Sequence, residues 1–412
     1  MYCIFVFIYY ISYMAHKIAT LDIGSSKTTC IIATHHYDGS VQVDGIGYST
    51  TEGVKKGNIV DIVATQKSII SAINKAEKMA DEIITNILVS VPSLLTYSET
   101  LETEVLLHHK EITDKEIASL LNIKKQYRKD RKIIHTIPLS YQVDEMKCLK
   151  DPRGMIGNTL RATVNVVSLP RTTIENLIKC ISYCHLDIDD FVVSPLADGV
   201  GTLLEDELNL GAILVNIGAE TTEYSVFSRG NLVGLGAVPI GGQNITNDIA
   251  QCLNISLADA ERIKVIYGNA HAPTKNEYIQ VNKIGELNRF TEIESQELIE
   301  IIRPRIEEIF NLIKTKMDKK GFLKDDSKKI VLSGGASSLS GIKELVEEIF
   351  GKQVRIGKPK PISGMIKVVN SPAFTIPFGL IQYAIKNSKK GKSIIAKQNV
   401  FQKVGSLFKK ST

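Results

Sequence analysis

Residues 17–33 of this 412-residue chain, KIATLDIGSSKTTCIIA, consist of two apolar stretches joined by a short turn. The β-branched side chains on both sides predict a buried strand that enters the turn and a second strand that returns from it. A Walker-type phosphate loop leads from a strand into a helix, whereas this turn joins two strands. Its N–H groups and hydroxyls can surround a phosphate, although an ordinary hairpin has the same local pattern.

The first turn contains five candidate ligands of a phosphate group and its metal ion. We expect Asp22 to hold Mg²⁺ through water, because Mg²⁺ keeps most of its water ligands in proteins. Lys27 is predicted to neutralise a terminal phosphate. The backbone and hydroxyl candidates are Gly24, Ser25 and Ser26.

The same pattern recurs in the second half of the chain, at residues 212–227, AILVNIGAETTEYSVF. Internal similarity at this separation predicts two related domains, each with a phosphate-binding hairpin. Two such hairpins indicate a nucleotide held in the cleft between the domains, where ligands of this kind commonly bind. The candidate residues of the second turn are Asn216, Gly218, Thr221 and Thr222.

A third stretch, residues 327–350 with the sequence SKKIVLSGGASSLSGIKELVEEIF, predicts a strand, a glycine turn and a helix. The strand is expected from Ile330 to Leu332 and the amphipathic helix from Gly341 to Phe350. Adjacent glycines allow a flat ligand, such as a purine or its ribose, to approach the backbone closely. The candidate residues of this turn are Gly334, Gly335, Ala336 and Ser337.

Together the three stretches resemble the actin-like ATPase superfamily, which includes actin, the Hsp70 chaperones and the sugar kinases. LDIGSSK is similar to the first phosphate motif, VNIGAETTE to the second and VLSGGASSLSG to the adenosine motif. The segments VPIGGQNITNDIA and DAERIK resemble the part in which Gly242, Glu261 and Lys264 would reach the nucleoside. The resemblance implies ATP and Mg²⁺ as cofactors.

Residues 135–170 narrow the resemblance to one family, that of the bacterial cell-division protein FtsA. The elements DPRGM-G and L-A-VNVV close a small domain inserted into the first half, and EGVKKGNIVDI matches a further family stretch. The resemblance covers residues 17–408. It implies an α/β fold with two lobes, the actin-like ATPase fold of duplicated ribonuclease-H-like domains, with a small inserted α+β domain and a C-terminal amphipathic helix.

The predicted domain boundaries follow the motifs, the insertion and the two ends of the chain. The predicted segments are an N-terminal extension (1–16), the first part of lobe 1 with the first phosphate motif (17–94), the inserted subdomain (95–174), the second part of lobe 1 (175–210), the lobe 2 core with the second phosphate motif (211–240), the small subdomain of lobe 2 (241–326), the lobe 2 core with the adenosine motif (327–386), a linker (387–397) and a membrane-targeting helix (398–412).

The N-terminal extension has an apolar run that resembles a targeting segment at first sight. It lacks a basic region and a small-residue cleavage site, and it is shorter than the roughly 20 residues that span a bilayer. We expect translation to begin at Met14, and an N-terminal anchor is the alternative.

The inserted segment is compatible with a small α+β domain when its residues are considered alone. ITDKEIASLLNIK predicts a helix capped by Thr113, and residues 133–144 and 160–167 predict strands. The family resemblance implies that this domain makes subunit contacts in a filament and contacts later division proteins.

The second phosphate motif departs from the usual family pattern, Asp-Ile-Gly-Gly-Gly-Thr, because Asn216 and Glu220 replace an aspartate and a glycine. Asn216 supplies no charge to a metal ion, and Glu220 would repel a phosphate by about 1 kcal/mol at 4 Å in water, and by more in a cleft. We therefore expect ATP to be a structural ligand that is hydrolysed slowly or not at all. Glu223 is a candidate for orienting a water molecule.

The segment ELIEIIRPRIEEIF predicts a helix in the small subdomain of lobe 2. By the family resemblance, this subdomain binds the C-terminal peptide of the tubulin-like division protein FtsZ. Arg303 and Arg305 could pair with an acidic peptide. A solvated helix face is the alternative interpretation of these two arginines.

The last residues, NVFQKVGSLFKK at 399–410, predict an amphipathic helix after a lysine-rich linker. The family resemblance implies that it lies in the surface of an anionic membrane, and a helix docked on the protein's own core is the alternative. The apolar candidates are Val400, Phe401, Val404, Leu407 and Phe408, and the basic candidates are Lys403, Lys409 and Lys410.

The amino-acid composition argues against nucleic-acid binding and against a disulfide-stabilised fold. The net charge of +5 is too small to indicate nucleic-acid binding, and six cysteines do not form a disulfide framework in a chain of this length. Cys180 and Cys184, one helical turn apart, could bind a metal ion, but packing in a core is the favoured interpretation.

The sequence therefore predicts an ATP-binding, actin-like division protein. It is expected to polymerise on the inner face of the cytoplasmic membrane at the division site, to anchor the FtsZ ring and to recruit later septation proteins. The alternatives within the superfamily are a sugar kinase, an Hsp70-like chaperone and a pilus-assembly protein.

Overall fold

The computed structural model describes residues 16–123, 127–271, 277–284, 290–324 and 328–388. The predicted start at Met14 and the predicted tail helix at 398–412 lie outside these ranges, so both stay predictions. Within the described ranges, no helix is long and apolar enough to cross a membrane.

The first lobe begins with a three-stranded antiparallel meander and a helix that covers it. Its elements are β1 (His16–Ile23), β2 (Lys27–His35), β3 (Val41–Thr50), β4 (Val54–Lys55), β5 (Asn58–Ile59), α1 (Ile62–Ala80) and β6 (Asn86–Val91). The β1–β2 hairpin predicted from the sequence is confirmed, with Asp22 opposite Thr29. The helix α1 begins after Asp61, whose carboxylate accepts hydrogen bonds from two backbone N–H groups of the first turn.

The inserted segment forms a separate antiparallel sheet with its own helix. Its elements are β7 (Tyr97–Glu111), α2 (Asp114–Leu121), β8 (Arg131–Val143), β9 (Met146–Leu149) and β10 (Ile156–Pro170), and the strand order is β7-β10-β8-β9. The cap predicted at Thr113 is confirmed as a capping box with Glu116. Leu120, Val143 and Val164 belong to a core cluster that the insertion forms by itself.

The chain then completes the first lobe and crosses to the second. The elements of this part are α3 (Arg171–Ser182), β11 (Asp187–Val193), α4 (Ser194–Thr202) and α5 (Glu205–Leu210). The sheet of the first lobe has the order β11-β6-β1-β2-β3, in which β11, β6 and β1 are parallel. Cys180 is buried and the thiol of Cys184 donates to its carbonyl, so both cysteines pack within the fold.

The second lobe repeats the sheet of the first. Its elements are β12 (Ala212–Ile217), β13 (Thr222–Ser228), β14 (Asn231–Val238), α6 (Gly242–Leu253), α7 (Leu257–Tyr267), β15 (Tyr278–Asn282), β16 (Phe290–Glu294), α8 (Ser295–Lys319), β17 (Lys329–Ser333), α9 (Ile342–Phe350), β18 (Val354–Ile356) and α10 (Thr375–Ser388). The order β14-β13-β12-β17-β18 combines an antiparallel meander with parallel strands, as in the first lobe. The repeat predicted from residues 17–33 and 212–227 is therefore present in the fold.

The last described helix, α10, packs on the first lobe although the predicted boundaries placed residues 327–386 in the second. Phe378 and Ile381 share a core cluster with Ile31 and Leu88 of the first sheet. The helices α10 and α4 cross closely at Gly379, where a Cβ atom would lie 1.9 Å from the carbonyl oxygen of Ala197. The helix α10 therefore packs against both α4 and the first sheet.

Candidate nucleotide-binding site

The two predicted phosphate turns have the same backbone geometry. The N–H group of Gly24 donates to the carbonyl of Lys27 at 3.0 Å, and that of Gly218 donates to the carbonyl of Thr221 at 2.9 Å. A Cβ atom on either glycine would lie 3.0 Å from that same carbonyl oxygen. Both glycines therefore lie in tight turns of the kind that can surround a phosphate.

The hairpin β4–β5 of the first lobe contacts both turns. The N–H group of Gly57 donates to Oγ of Ser25 at 3.1 Å, and the N–H group of Lys56 donates to Oε2 of Glu220 at 2.5 Å. The carbonyl of Ser26 accepts a hydrogen bond from the N–H group of Thr51, just before this hairpin. The Glu220 carboxylate thus crosses to the opposite lobe, which the sequence pattern did not indicate.

Asp22 lies at the end of β1, and Oγ of Ser90 donates to its Oδ1 at 2.6 Å. Burial raises the pKa of this carboxyl group, while the hydrogen bond from Ser90 and the charge of Lys27 act in the opposite direction. The position is compatible with the predicted role as a ligand of a hydrated Mg²⁺.

Lys27 does not extend from the turn toward the position expected of a phosphate. Its Nζ donates to the carbonyl of Ala373 at 3.0 Å and lies 3.2 Å from the centre of the Phe374 ring. Burial lowers the pKa of Lys27 to about 8, although the charge of Asp22 acts in the opposite direction. A contact with phosphate would require this side chain to leave both partners.

Three segments of the second lobe meet at the second turn. The N–H group of Gly242 donates to the carbonyl of Gly218 at 2.9 Å, and that of Gln243 donates to the carbonyl of Ala219 at 2.7 Å. A Cβ atom on Gly242 would lie 3.0 Å from Cβ of Ala336. The start of α6, the phosphate turn and the adenosine motif are therefore in direct contact.

Glu261 and Lys264 lie together on α7, beside the start of α6. Nζ of Lys264 lies 2.6 Å from Oε2 of Glu261, 2.7 Å from Oγ1 of Thr246 and 3.1 Å from the carbonyl oxygen of Gly242. The lysine side chain is largely buried, whereas Glu261 is exposed. Lys264 therefore holds α7 against α6 at the corner where the sequence placed the nucleoside.

The adenosine motif forms a tight turn that leaves space on one side. Gly334 has φ +83°, and a Cβ atom there would lie 2.5 Å from the carbonyl oxygen of Ile217. The nearest atom to a Cβ on the exposed Gly335 is 3.8 Å away, so the turn is open at this position. Buried Ser337 stabilises the turn by donating from Oγ to the carbonyl of Gly334.

Glu223 connects the lobes through both of its carboxylate oxygens. Oε1 accepts from the N–H group of Ser93 at 2.7 Å, and Oε2 accepts from Oγ of Ser194 at 2.7 Å. The side chain is buried, and burial raises its pKa. Because both oxygens are engaged, this geometry does not favour the predicted role of Glu223 in orienting a water molecule.

Asp198 is a buried residue of this region that the sequence analysis missed. It lies on α4 and accepts hydrogen bonds from Nδ2 of Asn216, Oγ of Ser333 and Oγ1 of Thr202. Burial raises the pKa of this carboxyl group. The sequence feature that could have indicated Asp198 is that it is a single acidic residue in the otherwise uncharged segment SPLADGVGT.

The two arginines predicted to bind a partner are already paired within the protein. Arg303 contacts Glu307 and Glu348, and Arg305 contacts Asp248 and Glu308. A groove of about 560 Å³ lies further along α8, between its C-terminal half and the end of α9. Its charged lining residues are Lys314, Asp318, Lys319 and Lys352.

Comparison with known proteins tests the predicted family. The family model described as cell division protein FtsA matches residues 213–379, and the model of the SHS2 domain inserted in FtsA matches residues 96–168. The cell division protein FtsA of Rhizobium meliloti (strain 1021) is 33% identical over 389 residues, which cover 90% of this chain and 87% of that protein. The chain belongs to the FtsA family. FtsA of Pseudomonas aeruginosa is also 33% identical, over 92% of this chain and 91% of its own length.

Solved structures confirm the predicted fold class. The PilM-PilN type IV pilus biogenesis complex matches with a TM-score of 0.64 at 15% identity, over 89% of this chain and 98% of that chain. MreB5 of Spiroplasma citri bound to ADP matches with a TM-score of 0.54 at 13% identity, over 91% of this chain and 98% of that chain. These similarities show the actin-like fold alone. Membership in the FtsA family favours cell division over the kinase, chaperone and pilus-assembly alternatives.

Proposed function

We propose that this FtsA-family chain is an ATP-binding scaffold that polymerises on the inner face of the cytoplasmic membrane at the division site. There it anchors FtsZ and recruits later septation proteins, the latter through the inserted subdomain. The observation that carries the proposal is that both phosphate turns contact the hairpin β4–β5, while the second turn also contacts the start of α6 and the glycine turn. Family membership supplies the role in division.

The residues at the cleft fit ATP and a hydrated Mg²⁺. The N–H groups near Gly24 and Gly218 would hold the phosphates, the space beside Gly335 would accept the adenosine, and Asp22 would hold the metal's water ligands. When bound, ATP would bring negative charge into the cleft and would contact both lobes. We therefore assign ATP a structural role with slow hydrolysis, because the engaged oxygens of Glu223 leave it poorly placed as a base.

The tail would attach the scaffold to an anionic membrane. Each lysine near such a surface contributes about 1 kcal/mol, and five apolar side chains that are only partly buried add to this. The cost of ordering a short helix offsets part of this gain, so one tail binds reversibly. A filament with many tails binds firmly through effective concentration, which would couple polymerisation to membrane attachment.

The FtsZ C-terminal peptide would bind along α8. Arg303 and Arg305 can exchange their internal partners for an acidic peptide, and the lysines of the neighbouring groove add positive charge. Phe350 and Leu323 give the same groove an apolar part in which a side chain of the peptide could be buried.

Titration with labelled peptide and with MgATP tests this proposal. We expect saturable binding of both ligands, and we expect Lys314→Glu to weaken peptide binding about tenfold or more. The exposed Lys67 on α1 provides a matched control, because Lys67→Glu makes the same charge change far from the groove. Failure of the wild-type chain to bind MgATP would contradict the ATP-binding part, and equal losses in both variants would contradict the assignment of the groove.

A further inference from the structure

The positive charge of the tail continues onto the folded part of the chain. Residues 349–412 contain no aspartate or glutamate, and residues 349–388 of this stretch belong to the described structure. The cationic residues of that folded part are Lys352, Arg355, Lys358, Lys360, Lys367 and Lys386. The proposed membrane tail is therefore preceded by a folded segment in which all charged side chains are positive.

Residues 358–370 of this segment begin beside the end of α10, after which residues 389–412 follow. The N–H group of Lys360 donates to the carbonyl of Gly201 at 2.9 Å, and its Nζ donates to the carbonyl of Val200 at 2.7 Å. Burial lowers the pKa of Lys360, and the charge of Lys386 in the last turn of α10 acts in the same direction. Lys360 and Lys386 are therefore close in space.

The loop formed by residues 362–368 is held on the first lobe. The N–H group of Val43 donates to the carbonyl of Ser363 at 2.8 Å. Gly364 has φ +78°, and a Cβ atom there would lie 2.4 Å from the carbonyl oxygen of Val43. Ile362 and Met365 pack against the core cluster that α10 forms with the first sheet. The loop is therefore a fixed part of the face on which α10 lies.

The end of this loop exposes apolar side chains on both sides of a lysine. Ile366 is 42% and Val368 is 62% exposed, and Lys367 between them is also exposed. The next residue, Val369, is fully buried and fixes the short 3₁₀ turn Lys367–Val369. Single exposed apolar residues are common on protein surfaces, but apolar residues among lysines are the combination that binds the interface of an anionic membrane.

The acidic groups that act on this region are few. Glu205 and Glu207 are the two carboxylates whose charges act on Lys360. Glu207 is already paired with Arg355. The lysines around the end of α10 therefore keep most of their positive charge available to an external anion.

We propose that this loop is a second membrane contact, at which Ile366 and Val368 enter the headgroup region of an anionic bilayer and Lys367 contacts lipid phosphates. The proposal rests on the proposed attachment of the tail to the membrane. Two apolar side chains and a few lysines are too little to anchor the chain by themselves, so the tail stays the main attachment. The two contacts together would fix how the first lobe is oriented toward the membrane, which a single point of attachment would not do.

A single tryptophan tests this contact, because the chain contains none. Val368→Trp places the probe in the loop, and Val265→Trp places it on α7 at a position that is also well exposed, at 72%. We expect vesicles of phosphatidylcholine and phosphatidylglycerol to shift the emission of full-length Val368→Trp to shorter wavelengths, and brominated acyl chains to quench it. The emission of Val265→Trp should stay unchanged in both measurements.

Charge reversal measures the contribution of the lysine. Lys367→Glu should weaken binding of the full-length chain to the same vesicles about tenfold or more, because one lysine near an anionic surface contributes a factor of about five. Lys67→Glu makes the same change on α1, which packs on the opposite face of the first sheet from α10, and should bind like the wild type. Equal weakening in both variants would overturn the proposal.

The remaining outcomes separate this contact from the tail. An unchanged emission of Val368→Trp on vesicles that do bind the chain would overturn the proposal and leave the attachment by the tail intact. The same shift with MgATP in the absence of vesicles would also overturn it, and would assign the loop to a contact between copies of the chain. Failure of the wild-type chain to bind anionic vesicles would contradict the proposed membrane attachment itself, and this proposal with it.

Discussion

At the scale of single residues, the charge of Lys27 is controlled by its surroundings in the folded chain. The ammonium group contacts the Ala373 carbonyl and the Phe374 ring, and burial lowers its pKa from 10.5 to about 8. In the unfolded chain the group keeps its higher pKa, so the unfolded state binds more protons between these two values. The free energy of unfolding should therefore rise with pH across this interval.

Lys27→Met isolates this effect, because methionine fills a similar volume without a charge. The wild-type chain should gain about 2–3 kcal/mol of unfolding free energy relative to Lys27→Met as the pH rises from about 8 to 10.5. Urea titrations of both chains without nucleotide at several pH values measure this difference. A difference that stays constant with pH would contradict the buried environment of Lys27.

At the scale of elements, the glycine turn places two adjacent glycines in different environments. Gly334 has a positive φ and no room for a side chain, whereas Gly335 is exposed with open space beside it. We expect Gly334→Ala to lower the free energy of unfolding by about 2 kcal/mol or more. Gly335→Ala should leave stability nearly unchanged and weaken ATP binding, because its methyl group enters the space assigned to the adenosine. Thermal unfolding and ATP titration of the two variants measure the two effects separately. If Gly335→Ala lowered stability more than Gly334→Ala did and left ATP binding unchanged, this turn would be excluded as the adenosine site.

The hairpin β4–β5 makes a second prediction at this scale. The Glu220 carboxylate accepts from its Lys56 N–H group and still lies beside the second phosphate turn. Glu220→Gln removes the charge but keeps an acceptor, so ATP binding should strengthen about three- to tenfold. Glu344→Gln, at an exposed position of α9, makes the same change away from the cleft. Weaker ATP binding in Glu220→Gln than in this control would contradict a repulsive role for Glu220.

The sequence indicated the elements of the site better than the contacts between them. The two hairpins, the glycine turn and the cap at Thr113 follow from local patterns of β-branched residues, glycines and capping side chains. The partner of Lys27, by contrast, is 346 residues away in the chain, and Asp198 joins residues 18 and 135 positions distant. Local patterns carry no information about such pairs, so Asp198 was missed and Lys27 was assigned to a phosphate.

At the scale of the whole molecule, contacts between the lobes surround the cleft. The Glu223 carboxylate bridges to Ser93 and Ser194, Glu220 bridges to Lys56, and α10 of the last described segment packs on the first sheet. A ligand in the cleft would therefore act on the relative position of both lobes. If each chain carries the proposed tail helix, a filament of many chains would present many membrane contacts at once.

Liposome flotation with ATP tests the membrane scaffold most directly, using anionic vesicles and two chains that differ only in the tail. We predict that residues 14–412 float and that residues 14–390 do not, and that added salt weakens flotation because lysines supply part of the attraction. Flotation of both chains would place the membrane contact elsewhere. If neither chain floated, the tail would not be an anchor, and the proposed attachment of the scaffold to the membrane would be wrong.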